Sequence, residues 1–397
     1  MIPRQIYHIS LLTAFAVAAL LSSACSADDN SGLSNNPADD RQPVAFSAAM
    51  ADSQEAETRA APKEMNLDRL ESSGFGVFAC YTGLHKYGDV DAQPDFMYNQ
   101  KVAWNNGTSK WTYSPLKYWP IGEGEVSGSM GTYPHYLSFM AYAPYSDMST
   151  GDAGYCIPSM SPQREVGNPW ITYRLHTDPA DQVDLLYAKP LLNKTKEDAT
   201  LPFEFQHALA CAGSSVTVTP NDAMQTYLQS LSGGGATKME LRLTAMTITY
   251  QLTEKGRLVL WNNGSANWQS IDGESSMATR VVDYAPSNYL LYSSAGDGMN
   301  YTDDNHGVFY IPIHVGNNYQ TATVELTYEI WRYTGPSTYV IYRTASPSAV
   351  LTLSDYAGYE AGKKYTIGLR LGMSSVNAEA TIEDWDPAVD IDATDSP

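Results

Sequence analysis

The fold class can be predicted from one stretch of the sequence, Ala322-Thr323-Val324-Glu325-Leu326-Thr327-Tyr328-Glu329-Ile330-Trp331-Arg332-Tyr333. A strand repeats every two residues, so one face of this stretch would carry Val324, Leu326, Tyr328 and Ile330, and the other Thr323, Glu325, Thr327 and Glu329. One packed face beside one wet face is the usual arrangement of an antiparallel sheet. The stretch therefore predicts an antiparallel β-protein.

The same style of sequence recurs from about Gly74 onward. Short runs rich in Tyr, Thr, Val and Trp stop at Gly, Pro, Asn or Asp, which is typical of strands joined by turns. Further strands are predicted at 74–81, 96–102, 136–143, 184–188, 239–250, 257–261, 308–313, 365–371 and 378–385, with a short one at 43–47. Helices are predicted only around Phe205 to Ala212 and from Asn221 to Leu231.

The N-terminus has the layout of a secretory signal. Arg4 precedes an apolar run, Ile9 to Leu21, which is shorter than the ~20 residues that span a bilayer. Small residues then lead to Cys25 in Leu21-Ser22-Ser23-Ala24-Cys25, a pattern similar to a bacterial lipobox. This predicts a signal peptide over 1–24 and lipidation of Cys25, with acyl chains such as palmitate holding the chain on a membrane. The alternative is a plain signal peptide that contains a cysteine.

The remaining sequence is predicted to divide into a tether and two domains. Residues 25–60 are predicted to form a lipidated tether that includes a short strand near Val44-Ala45-Phe46. The hydrophilic stretch Leu192 to Asp198 is predicted to mark a boundary between an N-terminal domain over 61–195 and a C-terminal domain over 196–397. Two domains also suit the length, because single cores rarely grow past ~250–300 residues.

Charge and cysteine content narrow the class of partner. A formal charge of −20 repels phosphate backbones, so no nucleic-acid partner is expected. Cys80, Cys156 and Cys211 follow Cys25, and an odd number allows at most one disulfide among them. Small buried thiols are the favoured interpretation, and one disulfide is the alternative.

Two groups of residues could carry chemistry, and each has a simpler explanation. Thr302–His306, with His314 further on, has the oxygen and imidazole groups of a cation site, but a solvated loop between strands is the favoured interpretation. His207 could be a base, yet its apolar neighbours favour a structural histidine. No known catalytic motif occurs, so neither an enzyme, a cofactor nor a metal is predicted.

Aromatic residues near turns and strand ends offer a different lead. Aromatic faces beside amides suit recognition of sugars or proteins, although packing within the fold is the alternative. The candidates are Tyr113, Tyr118, Trp119, Tyr133, Tyr136, Trp261 and Trp268.

Taken in order, several landmarks of the sequence resemble the fimbrillin family, the subunits of lipoprotein-derived (type V) pili of anaerobic Gram-negative bacteria. They are Cys25 in its lipobox, the basic site Thr58-Arg59-Ala60, and the stretches 75–79, 96–99, 111–120, 137–144, 184–188, 203–210, 361–365 and 382–385. The resemblance covers most of the chain after the tether.

The resemblance implies two transthyretin-like β-sandwich domains and assembly by strand exchange. A protease would cut after Arg59, leaving Ala60 as the new N-terminus, and remove a first strand near Val44-Ala45-Phe46. Arg41 and Arg69 are alternative cut sites. A donor strand from 376–391 of a neighbouring subunit would fill the groove.

These expectations define a function and its rivals. The chain is predicted to be a pilus subunit or an accessory or tip adhesin, located in the outer membrane and the fimbrium. Its partners would be other pilus subunits and a host protein or glycan. The acidic residues after Trp385 would make a poor donor, which favours an accessory or tip role. The alternative is a glycan-binding surface lipoprotein, and a surface hydrolase is the lesser rival, because paired carboxylates leave no motif.

Overall fold

The computed structural model describes residues 42–51, 64–126, 129–149, 155–261, 265–271, 277–296, 298–313, 320–353 and 360–384. The predicted sites Cys25, Arg59 and Ala60 lie outside the described residues. Among those that are described, helices are too short or too polar to span a bilayer.

The described chain consists mainly of strands, as the sequence predicts. In chain order they are β1 (Phe46–Met50), β2 (Phe75–Gly83), β3 (Met97–Asn105), β4 (Lys110–Thr112), β5 (Ile121–Val126), β6 (Ser129–Pro134), β7 (Tyr136–Ala143), β8 (Ser159–Met160), β9 (Trp170–Arg174), β10 (Leu186–Ala188), β11 (Leu191–Lys194), β12 (Leu201–His207), β13 (Ala210–Pro220), β14 (Met239–Thr253), β15 (Lys255–Val259), β16 (Asn267–Gln269), β17 (Met277–Tyr284), β18 (Tyr289–Ser293), β19 (Tyr301–Asp303), β20 (Val308–Tyr310), β21 (Thr321–Tyr333), β22 (Tyr339–Ala345), β23 (Ser348–Thr352), β24 (Lys363–Leu371) and β25 (Val376–Asp384). The all-β class is therefore confirmed.

The first sheet has the strand order β1-β12-β10-β7-β2-β3-β4, with β11 beside β7. Its strands pair antiparallel except at one end, where β1 runs parallel to β12. Phe75, Phe139, Phe203 and Phe205 are buried together in the core of this sheet. The hairpin β5-β6 stands apart as a separate two-stranded sheet.

Two further sheets share a second core. One has the order β17-β14-β21-β22, with β18 and β23 at its sides, and the other β19-β13-β24-β25, with β20 beside β13. Val324 and Ile248 from the first pack in one cluster with Val218 and Ile367 from the second. In β21 the alternation predicted from the sequence is confirmed, because Val324, Leu326, Tyr328 and Ile330 are all buried.

A four-stranded sheet, β16-β15-β9-β8, joins strands from both sides of residue 195. β12 follows that residue yet belongs to the first sheet, and the chain passes to the next sheet between His207 and Ala210. The division into domains at residue 195 stays a prediction.

One helix was predicted correctly, one wrongly, and one not at all. α2 (Asp222–Leu231) is confirmed, and its N-cap Asn221 accepts a hydrogen bond from Met224 N. α1 (Leu67–Ser73) was not foreseen, although Asn66 caps it and Gly74 ends it at φ 69°. The helix predicted for 205–212 is wrong, because this stretch passes from β12 into β13.

Candidate functional site

The candidate site is the groove that holds β1. Along one side β1 pairs with β12 in parallel register, from Phe46 opposite Leu201 to Met50 opposite Phe205. Just beyond this register, Leu201 N donates to Ala45 O at 2.9 Å and Ala51 N donates to Phe205 O at 2.8 Å. The strand is thus secured along its whole length by one neighbour.

A second segment clasps the start of this stretch from the other side. Val44 N donates to Lys117 O at 2.9 Å, and Trp119 N donates to Gln42 O at 3.0 Å. Pro43 lies opposite Tyr118 in an antiparallel bridge. Residues 42–51 therefore sit between β12 and residues 117–119. We name this space the first-strand groove.

Alternate side chains of the strand point into the groove. Val44, Phe46 and Met50 are buried, whereas Ser47 and Ala49 are exposed. This period of two is expected of a strand with one face against a core.

The floor of the groove is aromatic. The Phe46 ring stacks on Phe203 with 5.7 Å between centroids, and it meets Tyr113 at 5.5 Å and Phe139 at 5.9 Å. Burying a Phe, Val or Met side chain stabilises a fold by about 1.5–3 kcal/mol each. Removal of this strand would expose the aromatic rings that Phe46 contacts. Another strand with a similar apolar face would bury those rings again and restore the lost stability.

Tyr113 ties the groove wall to the strand. Its hydroxyl donates to Val44 O at 2.8 Å, and burial raises the pKa of that hydroxyl to about 12. The tyrosine therefore stays a neutral donor at any physiological pH.

Two long-range hydrogen bonds hold the chain at Glu64 and Met65. Lys364 Nζ donates to Glu64 Oε1 at 2.9 Å, and Met65 N donates to Asp184 Oδ2 at 3.1 Å. Asp184 is fully buried and also contacts His207 Nδ1 at 2.6 Å. These five residues form what we name the re-entry cluster. They hold the chain at a point five residues after Arg59.

The structure tests two predictions about histidine and cysteine residues. His207 is a buried partner of Asp184, so the structural role predicted for it is confirmed. Cys80, Cys156 and Cys211 are buried free thiols, so the alternative of a disulfide among them is wrong.

The described residues of the candidate cation site do not form a cluster of metal ligands. His306 Nδ1 lies 2.6 Å from Asp303 Oδ1, and Thr302 is paired with Thr217 in the β13–β19 ladder. Within the described ranges there is no group of three or more metal-ligating side chains. His314 lies outside those ranges.

Most of the candidate recognition aromatics are packing residues. Tyr113 and Trp119 belong to the first-strand groove, and Trp268 Nε1 donates to Ala208 O at 2.7 Å. Trp261 stacks on Tyr87 with 5.3 Å between centroids. Tyr118 is exposed and Tyr136 is half-buried. The side chain of Tyr133 lies outside the described part.

Sequence reasoning missed the clasp made by residues 117–119. The proline-rich segment around it gave no strand signal, and the partner stretch lies about seventy residues earlier. The period of two in Val44, Phe46 and Met50 was present, and it could have extended the predicted strand to its observed end.

Comparison with known proteins gives a family and a fold. The sequence model of the fimbrillin-like family matches residues 58–385. A crystal structure of a fimbrial protein from Bacteroides vulgatus superimposes with a TM-score of 0.63 at 20% identity, covering 87% of this chain and 99% of that one. No curated protein sequence matches.

Two structures from Porphyromonas gingivalis align over a similar length. The fimbrial anchor protein has 9% identity and a TM-score of 0.34, covering 87% of this chain and 98% of that one. The tip fimbrial protein, with a C-terminal truncation, has 10% identity and a TM-score of 0.31, covering 87% and 100%. Of these three structures, the one from Bacteroides vulgatus is similar enough to bear on the fold.

Proposed function

The chain belongs to the fimbrillin-like family, and we propose that it is a fimbrial subunit or an accessory or tip adhesin that assembles by exchanging β1 for a strand of another subunit. The observation that carries the proposal is the first-strand groove, in which an edge strand fills an aromatic channel just ahead of a basic residue, Arg59.

Loss of β1 would create a ready acceptor. β12 would become an edge with unpaired backbone groups, and the exposed floor would include Phe75, Phe139 and Phe203. Strand addition suits such a site, because backbone hydrogen bonds supply affinity and pockets select alternate side chains. An incoming strand with apolar residues at every second position would restore what Val44, Phe46 and Met50 provide.

Among the three basic candidates, Arg59 best fits the proposed cut. It lies between β1 and the re-entry cluster, so cleavage there separates the strand from a body that stays anchored at Glu64. A cut at Arg41 would leave β1 in place. Arg69 lies in α1, and its backbone N–H is already bound by Asn66. The family match also begins at residue 58, beyond β1.

The structure defines the donor strand less well than the groove that would accept a strand. Residues 376–384 of the predicted donor region already form β25, which pairs with β24 from Lys363 opposite Asp384 to Leu371 opposite Val376. Donation of this strand would require it to leave its own sheet. This cost favours an accessory or tip role, in which the chain accepts a strand without giving one.

We further propose that Cys25 carries acyl chains and holds the precursor on the outer membrane until the cut frees it. An adhesin exposed in this way would meet other pilus subunits first, and a host protein or glycan afterwards. Host and glycan partners remain proposals that follow from the family resemblance.

The test is the mature N-terminus of the protein in assembled fimbriae. Wild type should begin at Ala60 and enter fimbriae, whereas Arg59→Ala should keep β1 and stay out of them. Arg41→Ala is the matched control and should behave as wild type. Fimbriae that contain subunits retaining residues 42–59 would overturn the exchange proposal.

A further inference from the structure

One face of the four-stranded sheet β16-β15-β9-β8 carries cations. Its other face packs into the core, because Ile171 and Leu258 are fully buried. The alternate residues Arg174, Lys255 and Arg257 are half-buried and point away from that core. The four strands contain no Asp or Glu, although the whole chain has 44 acidic residues against 24 basic ones. We name the outward side of this sheet the cationic face.

The strand register brings these cations close together. Arg174 lies directly opposite Lys255, and Arg257 lies two residues further along β15, opposite Thr172. Directly opposite residues have Cβ atoms about 4.5–5.5 Å apart, and residues two apart along a strand are separated by about 6.6 Å. Like charges at directly opposite positions destabilise a sheet. Local stability alone therefore does not favour this arrangement.

Aromatic rings fix both arginines of this face without neutralising them. Arg174 Cζ lies 4.0 Å from the centre of the Tyr155 ring, and Arg257 Cζ lies 4.1 Å from the centre of the Trp170 ring. Arg174 Nη2 also donates to Tyr155 O at 3.2 Å. Stacking on a ring holds the plane of a guanidinium but preserves its charge and its N–H donors. Both side chains are thus held in place for an acceptor.

The arginines also keep their charge unpaired. In the part of the chain that is described, neither Arg174 nor Arg257 forms an ion pair with a carboxylate. The Nε atom of each is buried and has no hydrogen-bond partner there. By contrast, Arg280 pairs with Glu254, the acid that directly precedes β15. Two guanidinium charges are therefore left for an external anion.

The neutral groups beside the arginines favour a ligand rich in hydroxyl groups. One row across the four strands consists of Ser159, Thr172, Arg257 and Gln269. The residues at its two ends, Ser159 and Gln269, are exposed. Hydroxyl and amide groups can hydrogen-bond to sugar hydroxyls, whereas the core of a protein interface is usually apolar. None of the large apolar side chains that are exposed in the described chain lies on these strands.

The net charge of the chain argues for a local site rather than a general attraction of anions. A formal charge of −20 repels polyanions at long range. At physiological salt this repulsion is screened beyond about 8 Å, whereas the arginines would touch their ligand. Binding of a polyanion should therefore depend on the cationic face.

We propose that the cationic face binds an anionic polysaccharide, in which sulfate or carboxylate groups contact Arg174 and Arg257 and sugar hydroxyls contact Ser159 and Gln269. The planar fork of a guanidinium matches two oxygens of such an acid group. The inference rests on the adhesin role proposed above and names the class of its ligand. The face belongs to a different sheet from the first-strand groove, so binding there does not need the removal of β1.

The test measures binding of the full chain carrying Arg59→Ala, in which β1 stays in place, to immobilised polysaccharides. Heparin presents sulfate and carboxylate groups, polygalacturonate presents carboxylates alone, and dextran is the neutral comparison. Arg174→Gln with Arg257→Gln should weaken binding of the polyanions roughly tenfold, since two charge-assisted contacts are lost. Arg370→Gln, at an exposed site of β24, makes the same change of charge and should leave the affinity unchanged.

A second variant applies even if loss of the stacked arginines disturbs the fold. Ser159→Glu with Gln269→Glu places acids at two exposed positions beside the arginines, so it should weaken binding without touching the core. Binding of heparin alone would support the proposal with sulfate as the acid group, and binding of polygalacturonate would support it with carboxylate.

The proposal is overturned if neither polyanion binds, or if either double variant binds as tightly as the parent chain. Equal binding of dextran would reject a role for the arginines, and equal binding of polyglutamate would reject a saccharide ligand. These measurements need no fimbriae, so a failure of strand exchange would leave them unchanged. A chain that enters fimbriae but binds neither polyanion would reject this inference alone.

Discussion

Glu240 is a buried carboxylate with three donors around it. Lys238 Nζ lies 2.6 Å from Glu240 Oε1, and Arg242 Nη2 lies 2.7 Å from Glu240 Oε2. The Tyr333 hydroxyl donates to Glu240 Oε2 at 2.9 Å. Burial acts to raise the pKa of this carboxyl, but the hydrogen bonds and charges of its partners outweigh burial and leave the pKa lowered. This carboxylate thereby holds Lys238, Arg242 and Tyr333 together beside the hairpin that β21 and β22 form.

Glu240→Gln should destabilise the chain by about 2 kcal/mol at neutral pH, because two cations and a hydroxyl lose a charged acceptor. The folded-state pKa is lowered, so this stabilisation is present above the unfolded value of about 4.3 and is lost as pH falls through the folded value. Urea unfolding at several pH values measures it. Glu325→Gln, on an exposed site, should show no such loss, and an equal effect of both variants would contradict the account.

The thiols should be unreactive in the native chain. Burial, assisted by the charge of Asp95, raises the pKa of Cys80 to about 12, and burial also raises the pKa of Cys211. Cys156 is buried as well. In a Cys25→Ser chain, a thiol reagent at pH 8 should label these three residues only after denaturation. Rapid labelling of a folded chain would show that one of them is accessible.

At the scale of elements, the sequence pattern predicted the long strands but assigned a helix to residues 205–212, which are mostly strand. β14 and β21 follow from alternation, and β7 follows from an apolar run that ends before Pro144. The Phe-x-Phe-x-His pattern at the end of β12 has the same period, with Phe203, Phe205 and His207 buried. The alanine-rich residues 208–212 that follow favour a helix by local propensity. They form a strand instead, because residues 210–212 pair with β20 and β24.

Phe46→Ala should show how strongly β1 is held. The ring touches four aromatic residues, so its removal should cost about 3 kcal/mol of folding free energy. Urea unfolding of the uncut chain measures the loss. The exposed neighbour Ser47→Ala serves as control. If both variants unfold at the same urea concentration, β1 contributes little to the core.

For the whole molecule, the sequence could indicate family and class but not long-range pairing. Glu64 and Lys364 are 300 positions apart, and Met65 meets Asp184 across 119. No local pattern marks such partners, because they depend on how sheets stack rather than on neighbouring residues. The sequence therefore does not indicate the re-entry cluster, although it does indicate a structural role for His207.

A chain cut at residue 59 by a site-specific protease should keep its fold. The re-entry cluster anchors the new N-terminus, and the cleaved piece should stay in its groove through hydrogen bonds and apolar contacts. Native mass spectrometry should find both pieces together, and mild denaturant should release the smaller one before the body unfolds. Lys364→Met should lower the stability of the cut body. Immediate dissociation, or collapse of the body on cutting, would contradict these contacts.

The clasp on β1 is unequal at its two ends. Gln42 and Val44 are bound by residues 117–119 and Ala45 by Leu201 of β12, but Ala51 at the other end is bound by Phe205 alone. A force applied to the chain before Gln42 therefore acts against hydrogen bonds to two segments. A force applied at Ala51 breaks the hydrogen bonds to β12 one after another. Under the proposed anchoring at Cys25, β1 would resist tension from the anchor, and it would separate most easily from the end nearer the proposed cut at Arg59.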